Sequence, residues 1–335
     1  MKYKYIKKEH GYGGIETREL VEDVILPEIS NEYADCLDDS AVLPFPGDTL
    51  IFTADSFVVS PPFFPGGDIG KLSVAGTVND LVAQGGRPLY LSMAMILEEG
   101  FRIDELRRIA ASAAEECRQA GVKIVCGDIK VVEKGKADGV YVTTSGTASK
   151  AFKTDRTSIK ENDVIISTGT AGDHGAAVFQ SRHGLLEDSQ KIRSDCRSLT
   201  GLVDIICAQN IPVRFLRDAT RGGIAGVMIE LAADIKRTVI LEEAKIPVNE
   251  WVKGLSYIAG LDYIYLACEG NMIIVVDKKD SVGLCKVLRG SGFPEASVIG
   301  RVGKAGSKGR AMMITASGGS RYLSASDVAQ IPRIC

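Results

Sequence analysis

The chain has 335 residues, about two domains at roughly 150 residues each, so each half is long enough to bury its own core. Lys and Arg number 40 against 43 Asp and Glu, and the net charge of −3 recommends neither nucleic acid nor an anionic membrane as partner. The eight cysteines (Cys36, Cys117, Cys126, Cys196, Cys207, Cys268, Cys285, Cys335) form no C-x-x-C pair and there are three histidines, which excludes a structural zinc pattern and a stapled mini-protein.

Residues 1–9 hold four Lys and one Glu with no apolar stretch behind them, and no apolar run approaches the roughly 18 residues that cross a bilayer. The expectation is a cytoplasmic protein with reduced thiols. Gly 36 is about 11% of the chain against roughly 7% in average usage, which points to tight turns or to backbone lying close to a ligand.

In chain order, Leu20, Val21, Val24 and Ile25 form one stripe and predict a helix over Ile15–Ile29, behind the Gly13-Gly14 turn. A buried strand, Thr49–Ala54, ends at Asp55. The stretch Pro61–Gly67 (PPFFPGG) reads as irregular. A helix is predicted from about Asp68 to Gln84 and stopped by Gly85-Gly86; a strand over Tyr90–Leu97; and a helix over Asp104–Ala120 closed by Gly121. Strands follow at Val122–Cys126 and Val140–Thr144. The polar stretch between Ala148 and Asp163 reads as the boundary between a first domain (1–150) and a second (160–310).

The second half predicts strands at Val164–Ser167 and Met272–Val276, and helices at Gly175–Ser181, Ser198–Gln209 and Gly222–Ala233. Residues 311–335 read as a hairpin followed by a mobile tail, VAQIPRIC, whose last residue is Cys335. Alternating strands and helices give two α/β or α+β halves.

The first half places acids where elements end: Asp38-Asp39 before a small apolar run, Asp55 and Asp128 after strands, Asp80 on a helix among small or polar neighbours (Gly76, Thr77, Ala83, Gln84). Any one of them reads more simply as a turn or surface residue; the set of four suits Mg²⁺, which takes hard oxygen ligands together with water and phosphate oxygens. Lys71 and Lys130 lie beside these acids, as phosphate ligands or as solvated surface groups. Two glycine turns in the second half open helices, TGTAGDHG (Thr168–Gly175) and RDATRGG (Arg217–Gly223). Free N–H groups there make anion sites, with Gly172, Asp173, His174, Asp218, Arg221 and Gly222 as candidates, although neither turn is a Walker or dinucleotide motif. The plain alternative is a pair of ordinary βα turns, with His174 a hydrogen-bonded turn residue rather than a base.

Taken together, FFPGGDIGKLSVAGTVNDL, RPLYLS, GDIKVV, GTAGDHGAAV, RDATRGGIAGV, CEG and the closing PRIC resemble the HypE family of hydrogenase maturation factors, among the PurM-like (aminoimidazole-ribonucleotide synthetase) ATP-binding proteins. The resemblance runs from His10 to Cys335. It implies a two-domain PurM-like fold whose N-terminal domains pair into a shared β-barrel in a homodimer, with ATP and Mg²⁺ as cofactors. It further implies ATP-dependent dehydration of a carbamoyl group on Cys335 to a thiocyanate, loading by HypF, and delivery of cyanide to iron on a HypC–HypD complex. By motif, Asp38, Asp55, Asp80 and Asp128 are the ATP/Mg²⁺ acids, with Lys71 nearby and Gly13-Gly14 as a lid. The resemblance also implies Lys130 and Glu269 as the dehydration residues. Asn271 stands where relatives commonly carry a basic residue. The residues are consistent with this chemistry, because a thiolate is the efficient nucleophile and a buried Glu269 gains basicity. Two other readings remain open here: a passive carbamoyl carrier, and a small-molecule ATP-dependent synthetase or kinase.

Overall fold

The computed structural model describes residues 4–11, 15–34, 40–41, 43–186, 191–306, 308–327, 331 and 333–335. Gly13, Gly14 and Asp38 lie outside the described residues.

The predicted helix at 15–29 forms as three segments: α1 (Ile15–Leu20), a π-helical turn (Val21–Ile25) and α2 (Leu26–Ile29). Pro27, in the first turn of α2, has no N–H to give to Asp23, so the regular ladder cannot run through. The Asp23 carbonyl accepts from Arg107 Nη2 at 3.0 Å.

The first sheet contains β1 (Leu50–Phe57), β4 (Gly86–Glu98), β5 (Lys123–Val132) and β6 (Val140–Lys150), in the order β1-β6-β4-β5. The PPFFPGG stretch, read as irregular, forms a small hairpin of β2 (Phe63–Phe64) and β3 (Gly67–Asp68). Asp68 then caps α3 (Ile69–Ala83), accepting from Gly70 N at 2.9 Å and Lys71 N at 3.1 Å. The amphipathic α4 (Ile103–Ala120) ends at Gly121, whose φ of 72° is the left-handed stop the sequence suggested. It makes the crossover between the parallel strands β4 and β5. The helices cover one face of this sheet, where Phe57, Val142, Leu91 and Leu97 are buried. The other face is open and carries Leu50, Phe52 and Ile96 at 55%, 65% and 42% exposure. Within one chain the sheet is not closed into a barrel.

The second sheet is mixed: β7 (Val164–Ser167), β8 (Phe215–Asp218), β9 (Arg237–Glu242), β10 (Met272–Val276), β11 (Ser297–Ala305), β12 (Arg310–Ile314) and β13 (Ser320–Tyr322), in the order β13-β12-β9-β11-β7-β10-β8. Its helices are α5 (Asp173–His183), α6 (Gly201–Gln209), α7 (Gly223–Ile235), α8 (Glu250–Ala259) and α9 (Lys278–Gly290). Sequence pattern anticipates β7, β10, α5, α6, α7 and the β12–β13 hairpin, and misses β8, β9, β11, α8 and α9. The hairpin also continues the second sheet, because β12 pairs in parallel with β9. One continuous apolar core joins α3 and α4 to Leu199, Leu202, Ile274 and Leu284 of the second half.

The last residues of the expected tail have a defined resting place in this structure. The tail's described residues are docked rather than extended into solvent: Val58 N donates to the Cys335 carbonyl at 3.1 Å, and Ile334 is 6% exposed within the core. Three residues are too few to show a period, yet one buried isoleucine anchors them.

Candidate active site

Cys335 rests in a cleft of about 270 Å³ between the two halves. β1 supplies Asp55 and Phe57, α3 supplies Gly76 and Asp80, β8 supplies Arg217 and Asp218, the turn after it Thr220 and Arg221, and the loop before β10 supplies Glu269. Asp55 shares its face with the buried Thr144, its cross-strand partner, so it points toward α3 and Asp80.

The cleft is acidic and desolvated. Burial raises Asp80, the charge of Asp55 raises it further, and Thr53 Oγ1 opposes this by donating to Oδ2 at 3.0 Å. Asp55 is likewise raised by burial, against a hydrogen bond from Ser56 N at 2.8 Å. Asp218 is pushed up to about 7, first by burial and then by Asp80. Glu269 is raised well above the usual carboxylate range by burial, then by Asp218 and Asp195. Its Oε1 is buried without a hydrogen-bond partner. Burial also pushes the Cys335 thiol up to about 12, reinforced by Glu269. A docked sulfur is therefore neutral, and the pocket suits a neutral S-acyl group better than a thiolate.

Other predicted residues are placed elsewhere. Asp128 and Lys130 lie within β5 rather than after a strand, because β5 runs six residues past Cys126. Asp128 is in register with Ala94 and Lys130 with Ile96, which is exposed on the open face; they pair with each other at 2.6 Å and do not line the Cys335 cleft. Asp128 borders a separate cavity of about 220 Å³ with Val21, Ile25, Met93 and Met95. Lys71 is at the opposite end of α3 from Asp80, nine residues away or about 13 Å along the axis, and donates to the Gly66 carbonyl at 3.4 Å.

The two glycine turns behave differently from each other. RDATRGG brings Arg217, Asp218, Thr220 and Arg221 to the cleft. Gly222 itself, at φ 80°, begins α7 by packing geometry: a side chain at its neighbour Gly223 would meet the Leu266 carbonyl at 2.4 Å. TGTAGDHG is tied to its neighbours at several points. Gly172 N donates to Cys268 Sγ at 3.1 Å, and a Cβ there would meet the Tyr263 carbonyl at 2.7 Å. Asp173 accepts from Thr170 Oγ1 and is pushed up to about 7 by burial. His174 is fully buried and bonded to Ser194 and to the Ile334 carbonyl. Asn271 fixes this loop, its Oδ1 accepting from Gly169 N at 3.0 Å and Thr168 N at 3.1 Å.

Sequence reasoning missed the residues that hold Glu269. Asp195 accepts from the Glu269 and Gly270 amides, each at 3.0 Å, and Asn79 donates to the Glu269 carbonyl. Neither lies in a local motif with Glu269. The available signal was Asn79 itself, a buried-face polar residue next to Asp80 on α3.

The donor set fits a divalent cation with a polyphosphate. Asp55, Asp80 and Asp218 are hard ligands whose mutual repulsion a cation would relieve, and Arg217 and Arg221 complement phosphate oxygens. No three described His, Cys, Asp or Glu side chains form a ready metal cage.

The sequence models of the AIR synthase related protein N-terminal and C-terminal domains match residues 37–149 and 160–312. The carbamoyl dehydratase HypE of Rhodobacter capsulatus is 42% identical, covering 97% of both chains, and that of Cupriavidus necator is 40% identical, covering 97% of this chain and 93% of its own. A solved structure of hydrogenase maturation protein HypE in complex with ATP superposes with a TM-score of 0.93 at 37% identity, over 98% of this chain and 99% of that one. A HypE chain in a HypE–HypF complex superposes at 0.78 with 38% identity, over 91% and 99%. The chain therefore belongs to the HypE carbamoyl dehydratase family of hydrogenase maturation proteins, with a two-domain PurM-like fold.

Proposed function

We propose that this protein dehydrates a carbamoyl group carried on Cys335 to a thiocyanate, with ATP as phosphoryl donor, to supply cyanide for hydrogenase iron. The observation that carries this is the placement of Cys335 beside Glu269 and the Asp55–Asp80–Asp218 group. The ATP complex of the HypE relative supports ATP as the nucleotide.

The S-carboxamide oxygen forms a bond to the γ-phosphorus as the β–γ bond of ATP breaks and ADP leaves. The carbon–oxygen bond then breaks, phosphate leaves, and both N–H protons are lost. Asp55 and Asp80 would hold Mg²⁺, which offsets charge on the phosphate oxygens. Arg217 and Arg221 orient the transferring phosphoryl group through bidentate donors. Glu269 takes an N–H proton through its unpartnered Oε1, made basic by burial.

Loading takes place with the tail undocked, since the docked thiol stays neutral far above pH 7. A HypF-type carbamoyltransferase is the loading partner, supported by the HypE–HypF complex among the structural relatives. HypC–HypD is the proposed acceptor. The open apolar face of the first sheet supports pairing with a second copy in a homodimer. Asp128 and Lys130 stand on that face, so their roles in cation binding and dehydration require delivery by the partner copy. No helix among the described residues is long and apolar enough to cross a membrane, in keeping with a cytoplasmic site of action.

The test is the intact mass of the peptide ending in Cys335 after loading by HypF and addition of Mg-ATP. Loss of one water from the carbamoylated peptide is expected. Unchanged mass with ATP turnover would favour a small-molecule kinase, and unchanged mass without turnover a passive carrier.

A further inference from the structure

His174 borders no part of the Cys335 cleft, yet it is fully buried and both ring nitrogens are engaged. Nε2 is 2.8 Å from the Ile334 carbonyl, which can only accept, so Nε2 carries the proton. Nδ1 therefore presents its lone pair to the Ser194 hydroxyl at 2.8 Å. Ser194 Oγ in turn accepts from Cys196 N at 3.0 Å, so a chain of donors runs from the backbone into the tail carbonyl. Phe64 packs edge-to-face with the imidazole, their ring centroids 5.2 Å apart. Burial holds His174 down at about 4, so the neutral tautomer persists at physiological pH. Two turns further along α5, Arg182 donates Nε to the Ser60 carbonyl and Nη2 to the Arg333 carbonyl.

We propose that His174 and Arg182 form a latch that holds the Cys335 tail in the cleft by gripping the main-chain carbonyls of Ile334 and Arg333. Both are positioning residues that touch the tail's main chain and line no part of the cleft. The inference rests on Cys335 being the carrier and adds how the carrier is held. Because the grip addresses main-chain oxygens and not sulfur, it holds the tail equally whether the sulfur bears hydrogen, a carbamoyl group or a cyano group. Release then requires breaking these bonds and exposing Ile334 together, a small cooperative opening.

The experiment is alkylation of the full-length apoprotein by iodoacetamide, read as peptide masses over time. The exposed Cys207 serves as reference and the buried Cys196 as an integrity control. His174→Leu and Arg182→Gln are each expected to speed Cys335 alkylation on the order of tenfold, the loss of one hydrogen bond. His174→Gln, which keeps an N–H donor, is expected to restore most of the protection. Unchanged Cys335 rates in both variants overturn the latch. If His174→Leu also makes Cys196 reactive, Arg182→Gln decides alone, a tenfold rise supporting the proposal and no change overturning it. The readout needs neither ATP nor loading, so its failure is distinct from failure of the dehydration assay.

Discussion

The side-chain amide of Asn79 donates to the main-chain carbonyl of Glu269 at 3.2 Å, tying the helix that carries Asp80 to the loop that carries Glu269. The same amide donates to the Arg197 carbonyl at 3.0 Å, and Asn79 Oδ1 accepts from Leu199 N at 2.8 Å. One buried side chain thus sets the distance across the cleft between the two halves.

Asn79→Ala removes three hydrogen bonds and takes the acceptor from Leu199 N, while the Glu269 carbonyl keeps the Arg197 amide at 3.4 Å. The expected cost is about 3 kcal/mol, read from the denaturation midpoint in urea. Dehydration should fall by more than global stability accounts for, because Asp80 and Glu269 lose their common reference. A variant with wild-type turnover at full folding would contradict this role.

Asp218 gives stability a definite pH slope. The unfolded carboxyl loses its proton near 3.8, whereas the folded one retains it to about 7, first through burial and then through Asp80. Folding is therefore favoured at low pH, and this contribution is lost as pH rises from about 4 to about 7, by up to about 4 kcal/mol. Asp173, also held at about 7, adds to the slope, so Asp218→Asn should flatten it only in part. Urea titrations of metal-free protein between those limits check this. Mg-ATP binding at pH 7 should also release protons, measured by calorimetry in two buffers of different ionisation enthalpy.

Glu269→Gln keeps the shape of the side chain while removing its negative charge and basicity. Dehydration is expected to fall at least about 100-fold, with carbamoyl loading of Cys335 unchanged. Stability should hold or rise, since the ionised group is costly where it is buried. The Cys335 thiol should shift down, because Glu269 is the second cause of its elevation after burial. The pH dependence of Cys335 alkylation reports that shift.

Gly76→Ala separates helix propensity from packing. Alanine normally gains up to about 1 kcal/mol in a helix interior. Here the new Cβ would stand 2.9 Å from two carbons of the Phe57 ring and 3.9 Å from Glu269 Oε2. A net loss of about 1–3 kcal/mol is expected, with reduced dehydration as Phe57 moves into the cleft. Thermal unfolding and turnover together check it.

The sequence by itself determined the strongly periodic or sharply punctuated parts. α4 shows a clear apolar stripe and a glycine stop, β10 is a short wholly apolar run and β7 one that closes on Ser167, and α3 is bounded by Asp68 and Gly85. The motifs around Asp55, Asp80, Arg221, Glu269 and Cys335 also contained most of the cleft. These signals are local, because a residue's periodicity and its turn chemistry depend on its neighbours in the chain.

Tertiary structure decided what depends on partners far away in sequence. β8, β9 and β11 exist because neighbouring strands complete their hydrogen bonds, and no short window records that pairing. Asp128 and Lys130 were separated from the other site residues because β5 continues and alternation puts them on the open face. His174 moved from ligand candidate to tail contact because burial makes it neutral and a carbonyl 160 residues away fixes its proton. The same packing turned a segment with no period, Arg333 to Cys335, into an ordered part of the cleft.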